Sequence, residues 1–528
     1  MARINHLVRP SLVGGPAWIM ALAAAILPFL FVTFPPLVDA PGHLGQYAIQ
    51  LAGPDSPLRR YFEFQWGMRL NLAVDLLMEA LAPWLGLVRA FWLVVLTIPA
   101  VTVAAIWRLA RAGNPRAAAA SWALPFAYSY PFNYGFLNYT LTAALSLLGY
   151  AAWLELADRP RLREALFWPL MPILLLFHAV GGILLPVMIG IAAATRHARL
   201  RSTAPFVAID REGLRALIRE ARPVLGAMAL VLLWKLNQPP RGLETSYTIG
   251  AKFNAIALAL RDQSRALDIA SIVAILAVPL IGRALGARYT PANAAVVIAI
   301  GALFLIMPSQ MAGASLCDMR LVPALMIAAL VLQDWSAVPP KVARGFAIAG
   351  LAVFLVRMGA TTAGFIAYER VYAAELPALP HIQRGARVLA LVPRQCGSWK
   401  HWRMRRLDHL PSMVTVERDA WVNAHWDVGD IHLLRILYRP SPDFYDDPSQ
   451  FVSSPRCVAR KKPPRTAEQW HSRRRTLAQI APTLPLDGAD YLWTIQERLP
   501  AGPWQRRLTP IWSNGASTLY RIAARPPA

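Results

Sequence analysis

The chain is short of cysteine, short of acid, and lacks the short motifs that mark soluble enzyme chemistry. Only Cys317, Cys396 and Cys457 occur among 528 residues. That excludes a disulfide-built fold, and their spacing offers no Cys-x-x-Cys pair for a metal. Cys396 and Cys457 either pair, if their segment lies outside the cytoplasm, or are two unrelated thiols. Asp and Glu number 30 against 54 Lys and Arg, a formal net charge of +24. There is no Gly-rich phosphate loop ending in Lys-Ser or Lys-Thr, no dinucleotide fingerprint, no His-Glu-x-x-His and no Gly-x-Ser-x-Gly, so chemistry on soluble nucleotides has no support.

What the chain has instead is apolar residues, 56% of the total. Repeated apolar runs of about 18 residues or more need lipid, which makes this a polytopic α-helical membrane protein. Its positive charge is then explained by basic residues kept beside cytoplasmic helix ends, and nucleic acid is not expected as a partner. The run 12–34 carries no charge and follows Arg3 and Arg9, so the N-terminus is expected in the cytoplasm. It lacks a small-x-small cleavage site and reads as a retained helix rather than a signal peptide. Further spans are expected at 88–110, 117–130, 137–156, 166–179, 183–194, 224–236, 269–285, 292–307, 322–332 and 346–361. That makes about 11 in all, an odd number that places the tail outside the cytoplasm.

Residues 44–84 read as helices lying at the interface within a first outer loop of 35–86, and 210–222 as a basic amphipathic stretch docked on anionic lipid. The aromatic connector 128–139 reads as part of an interfacial belt. From 367 the apolar runs shorten and Pro, Arg, Asp and Trp become frequent, as in a water-soluble domain. Strands are expected at 387–392, 491–495 and 517–522, with a helical piece near 467–480. The organisation is therefore a membrane domain over 1–366 and a small extracytoplasmic α/β domain over 367–528.

The polar residues assigned to the outer side gather around Asp39. That residue and His43 stand in Asp39-Ala-Pro-Gly-His43, directly after the first span, and Asn71 and Asp75 stand one helical turn apart in Asn71-Leu-Ala-Val-Asp75. Asn138 closes Gly135-Phe-Leu-Asn138, and His178 sits at a hairpin tip beside Gly181 and Gly182. Arg59, Arg60, Arg241, Lys252 and Arg320 are cations on the same side. Each has a plainer reading. Asp39 before Pro41 suits a helix N-cap, Asn71 and Asp75 suit a solvated face, and the arginines suit lipid phosphates or snorkelling.

One apolar span, then Asp-x-Pro-x-His at the start of a long first outer loop, then many helices and an outer C-terminal domain, resembles the GT-C superfamily of polyprenyl-phosphate-sugar glycosyltransferases. The sequence-specific part is confined to residues 34–75 and the Gly135 segment, which look like an uncharacterised bacterial branch of that superfamily. The resemblance implies a multi-pass protein of the bacterial inner membrane. It implies a polyprenyl-phosphate-linked sugar as donor, an extracytoplasmic glycan, lipid or protein as acceptor, and Asp39 as general base with His43 beside it. Arg59, Arg60, Asn71, Asp75, Asn138, His178, Arg241, Lys252 and Arg320 would bind substrate. Members that use a divalent metal (Mg or Mn) commonly offer a second acidic motif in the next outer loop, and 128–139 has none. A transporter or an envelope-assembly scaffold are the alternatives; spans largely free of acid favour surface chemistry over passage.

Overall fold

Helix dominates the first three quarters of the chain, because only a helix satisfies its own backbone where lipid supplies no hydrogen bonds. The computed structural model describes residues 15–113, 116–200, 207–236, 245–311, 314–394, 397–427, 432–455 and 475–524. Arg241, Cys396 and Cys457 lie outside the described residues.

The helices are α1 (Gly15–Ile26), α2 (Ala40–Gln50), α3 (Ala73–Leu85), α4 (Leu87–Gly113), α5 (Tyr130–Tyr134), α6 (Leu137–Glu155), α7 (Pro160–Phe177) and α8 (Ala179–Gly182). There follow α9 (Leu184–His197), α10 (Arg211–Leu236), α11 (Ile249–Ala257), α12 (Arg265–Ala284), α13 (Pro291–Ile306), α14 (Leu321–Val331), α15 (Pro340–Glu375) and α16 (Met413–Arg418). Among the described residues, four helical stretches are long and apolar enough to cross a membrane: Leu87–Gly113, Ala179–His197, Arg265–Ala284 and Pro340–His381. Gly15–Phe31, Pro291–Ile306 and Leu321–Val331 are apolar but shorter.

Several expectations change in detail. The stretch 117–130 forms a buried 3-10 helix, Ala118–Tyr128, with Pro125 inside it. The basic stretch 210–222 does not stop before the next span; α10 carries both as one helix through Pro223. The expected boundary at 367 falls inside α15, which continues to Glu375.

The strands are β1 (Phe62–Phe64), the two-residue hairpins β2 (Arg199–Leu200) with β3 (Val207–Ala208) and β4 (Gln310–Met311) with β5 (Ala314–Ser315), and then β6 (Arg387–Arg394), β7 (Trp421–Val422), β8 (Leu434–Ile436), β9 (Phe451–Ser453), β10 (Tyr491–Thr494), β11 (Leu508–Ser513) and β12 (Thr518–Ile522). One sheet runs β11-β12-β10-β6-β7, with β9 on the far part of β6. β6 lies parallel to β7, β9 and β10 and is buried along six consecutive residues, which is why it reads as an unbroken apolar run. The expected strands coincide with β6, β10 and β12; of the expected helix near 467–480, the described part is Leu477–Ile480.

The C-terminal region is joined to the rest of the chain in two ways. β1 pairs antiparallel with β8, Phe62 opposite Ile436 and Phe64 opposite Leu434. A strap over 398–409 is held on the membrane helices: Tyr368 Oη donates to the Met404 carbonyl and Tyr372 Oη to the Arg406 carbonyl, each at 2.6 Å. Arg406 meets Asp262 at 2.5 Å, and Trp402 Nε1 donates to Asp268 at 2.7 Å. Buried between these two attachments lies α2.

Candidate active site

Asp39 occupies the N-cap position of α2, and its backbone carbonyl accepts the first helical bond from His43 at 3.0 Å. Its carboxylate makes no capping hydrogen bond. A cap side chain accepts from the second or third helical N–H, and here the second position is Pro41, which has none. The side chain turns instead toward the C-terminal region, where Oδ1 stands 3.5 Å from His409 Nε2. Across the same imidazole, Nδ1 stands 3.3 Å from Asp447 Oδ1.

The loop 128–139 holds Asp39 from behind. Asp39 N–H donates to the Tyr134 carbonyl at 2.8 Å, and His43 Nε2 lies 3.1 Å from the Gly135 carbonyl. Gly135 has φ +109, and a Cβ there would stand 2.8 Å from Asp39 Cβ. Only glycine permits both the backbone and the approach. The aromatic residues of this loop, Tyr128, Tyr130, Phe132 and Tyr139, are buried, so the interfacial belt expected here is a packing layer. α2 is likewise buried on almost every side, unlike an interfacial helix; α3 fits that description, with Leu76, Trp84 and Leu85 exposed.

Burial sets the charge states. It pushes the Asp39 carboxyl well above the usual range, helped by Asp447 and Asp408 and opposed by Arg320. Asp447 is raised to about 7, chiefly by burial, against a hydrogen bond from Gln450 and the charge of Arg394. Asp408 is raised to about 6 by burial, with His409, Arg405 and Arg394 pulling the other way. His43 falls to about 3 through burial and the nearby His432 and His409, so it stays neutral and positions its neighbours.

Arg320 lies at the start of α14, its guanidinium 4.2 Å over the Phe136 ring, and among the described residues it meets no carboxylate within salt-bridge distance. Its Nη1 is 3.1 Å from His178 Nε2, while His178 Nδ1 accepts from Gly181 N–H at 3.2 Å. A neutral imidazole that accepts at Nδ1 carries its hydrogen at Nε2, so a donor faces a donor and Arg320 Nη1 lacks an acceptor there. The Nε of Arg320 is also buried without a partner. Nη2 donates to the Ser315 carbonyl at 3.2 Å, so the part-buried guanidinium keeps Nε and Nη1 as spare donors.

The remaining expected residues divide into groups. Asn71, Asp75 and Asn138 meet in one knot: Asn138 Nδ2 donates to the Asn71 carbonyl at 2.8 Å and Asp75 Oδ2 at 3.3 Å. Gln46 Nε2 donates to Asp75 Oδ1 at 3.2 Å, and Gln46 Oε1 lies 3.4 Å from His432 Nδ1, which ties the knot to α2 and the C-terminal region. Burial raises Asp75 to about 6 in spite of these donors. Lys252 is paired with Asp318 at 3.0 Å and also donates to the Met307 carbonyl. Arg59 donates to the Ala52 carbonyl, and Arg60 is exposed beside it; no described contact joins either to Asp39.

His409, Asp408, Asp447 and Arg394 escaped the sequence reading. The available signal was His409, His425 and His432 lying close in sequence to Trp402, Trp421 and Trp426, which is unusual for a solvated loop.

No family model and no curated protein matches the chain. Among solved structures, the apo state of ArnT from Cupriavidus metallidurans aligns at 12% identity over 97% of this chain and 99% of that one, with a TM-score of 0.47. The same protein bound to undecaprenyl phosphate aligns at 12% identity over 97% and 100%, with a TM-score of 0.50. The fold of this chain is that of ArnT from Cupriavidus metallidurans as it stands with undecaprenyl phosphate bound.

Proposed function

We propose that the chain is an integral membrane glycosyltransferase that moves a sugar from a polyprenyl-phosphate donor to an extracytoplasmic glycan, lipid or protein, with Asp39 as general base. The observation that carries this reading is the Asp39 carboxylate at the N-cap of α2, excused from capping and turned into a buried polar centre. A sugar hydroxyl is a poor nucleophile until a positioned base takes its proton. As its oxygen bonds to the anomeric carbon, the bond from that carbon to phosphate breaks and the electron pair leaves with the phosphate. Arg320, part-buried and with Nε and Nη1 as spare donors, is placed to meet that charge, with His178 behind it. The undecaprenyl phosphate bound to a protein of this fold supports a lipid phosphate as leaving group.

Among the described residues, the side chains around Asp39 do not suit a divalent metal. No group of three or more His, Cys, Asp or Glu among the described residues could hold one. Asp39 and Asp447 face different nitrogens of one imidazole and do not converge on a point. The reaction is therefore derived without a metal.

Transport requires charge that lines a path. The buried pair of Asp268, in the first turn of α12, and Arg357, of α15, 2.9 Å apart, is instead capped by Trp402, whose Nε1 donates to Asp268. The test is mass spectrometry of envelope glycans and glycolipids from cells lacking the protein, complemented with wild type or Asp39→Asn at matched membrane levels. Loss of one sugar mass, restored by wild type alone, is the expected result. Equal restoration by Asp39→Asn removes Asp39 from the mechanism, and an unchanged glycan profile moves transport or scaffolding ahead.

A further inference from the structure

We infer that His409, carried on the C-terminal strap, keeps Asp39 available as a base by taking its proton on Nε2 while Asp447 holds the opposite nitrogen. The inference rests on the glycosyltransferase reading and adds a positioning residue from the far end of the chain.

The tautomer follows from the neighbours. His409 Nδ1 lies 3.4 Å from the Ala424 carbonyl, which can only accept, and 3.3 Å from Asp447 Oδ1. The neutral ring therefore keeps its hydrogen on Nδ1, and the Nε2 lone pair faces Asp39. Gln450 Nε2 also comes within 3.5 Å of Nδ1, but it donates to Asp447 Oδ1 at 3.0 Å.

The ring is fixed by its surroundings. Trp426 packs against it at 4.5 Å, and α2 approaches both rings through Gly42, where a Cβ would stand 2.5 Å from Trp426 and 3.2 Å from His409. Three residues before it, Arg406 is locked to Asp262 of the membrane domain. The contact to Asp39 is long for a hydrogen bond, as is common for catalytic contacts before substrate binds.

A buried carboxylic acid that keeps its proton cannot accept another. Transfer from Asp39 Oδ1 to His409 Nε2 leaves a carboxylate beside an imidazolium, and each then offsets the burial of the other. The acceptor hydroxyl next gives its proton to Asp39 while the sugar–oxygen bond forms and the sugar–phosphate bond breaks, and the imidazolium proton finally returns to solvent. Asp408 and Asp447, beside the ring, favour the imidazolium, Arg320 of α14 favours the Asp39 carboxylate, and Arg394 of β6 favours the carboxylates of Asp408 and Asp447. Burial lowers His409 itself to about 4, with Asp408 opposing, as it lowers His43 of α2, His425 and His432 to about 3, about 3 and about 4, so the imidazolium forms during turnover and is not the resting state.

The test uses membranes holding the full-length protein, supplied with the polyprenyl-phosphate-sugar fraction extracted from the same cells, and follows initial rate from pH 5 to 9. His409→Gln is expected to lower kcat by about 100-fold at neutral pH with the donor KM unchanged, and to move the rate maximum alkaline as solvent takes over removal of the Asp39 proton. Asp447→Asn is expected to do the same to a smaller extent, and the double variant to be no worse than His409→Gln. A His409→Gln protein with the wild-type rate and pH profile, alongside an inactive Asp39→Asn, overturns this inference and leaves the base assignment standing. An active Asp39→Asn overturns the base assignment and this inference together. If His409→Gln fails to accumulate, Asp447→Asn decides, and an unshifted profile there overturns the inference.

Discussion

Replacing Arg406 by methionine should destabilise the protein more than any surface change, and the structure supplies the magnitude. The Arg406 side chain is fully buried, 2.5 Å from Asp262 Oδ1, with its guanidinium 5.1 and 5.5 Å from the Phe365 and Tyr368 rings. Asp262 is also buried, and its remaining side-chain partners are neutral: Thr361 Oγ1 donates to Oδ2 at 3.0 Å and Gln263 Nε2 to Oδ1 at 2.8 Å. Methionine keeps the apolar stem but removes the counter-charge. Breaking a buried pair from one side costs about 3–5 kcal/mol, because the stranded carboxylate remains out of water. Adding Asp262→Asn removes that stranded charge, so the double variant should recover at least about 1 kcal/mol over the sum of the single changes. The assay is thermal unfolding of detergent-purified protein followed by tryptophan fluorescence. At roughly 1 °C per kcal/mol for a chain of this length, Arg406→Met should lower the midpoint by about 3–5 °C. A midpoint within about 1 °C of wild type, or strict additivity in the double variant, would refute the claim that this pair joins the strap to the membrane helices.

Gly135→Ala should cost about 2–5 kcal/mol in local strain, from its positive φ and from the 2.8 Å approach to Asp39 Cβ; transfer should fall by about 100-fold at near-normal membrane levels. Wild-type transfer by that variant would show that the loop does not position Asp39. Arg320→Gln should raise the donor KM far more than Lys252→Met does, since Lys252 already has Asp318 as its partner; equal effects on donor KM in the two variants would remove Arg320 from the phosphate site. Asp408 and Asp447 bind protons more tightly folded, at about 6 and about 7, than the ordinary carboxylate near 3.8. Their contribution to stability is therefore complete below about pH 4 and is lost as pH rises through 6 to 7. Above about pH 6.5, where the buried histidines are neutral in the folded and the unfolded chain alike, the unfolding midpoint should fall as pH rises, and Asp447→Asn should flatten that fall; a midpoint that rises there would contradict the assigned shifts.

The sequence made Asp39 legible because the signal was local: a carboxylate, a proline two residues on, and a charge-free span before it. β6, β10 and β12 were legible for the same reason, as short apolar runs between turn residues. The partners of Asp39 were not. His409 and Asp447 reach it only through tertiary packing, from short segments without periodicity, and the histidines and tryptophans clustered over 402–432 mark a packed region without pointing to Asp39. α2 misled in the opposite direction. Residues 44–84 read as interfacial helices, yet Gln46 and Gln50 of α2 are buried, because the knot around Asp75 supplies the hydrogen bonds that water would have given. The connector 128–139 was mistaken for an interfacial belt since buried and interfacial aromatics have the same composition; only the approach of Gly135 to Asp39 tells them apart.

The ribbon formed by β1 and β8 joins two segments that are made far apart in time. Phe62–Phe64 leaves the ribosome early and must wait, its strand edge unpaired, until Leu434–Ile436 has followed. For the same interval Asp39 faces no imidazole. A nascent or truncated chain therefore carries its carboxylate in the membrane without the groups assigned to work with it, and competence arrives only when the last third of the polypeptide closes back on the first loop.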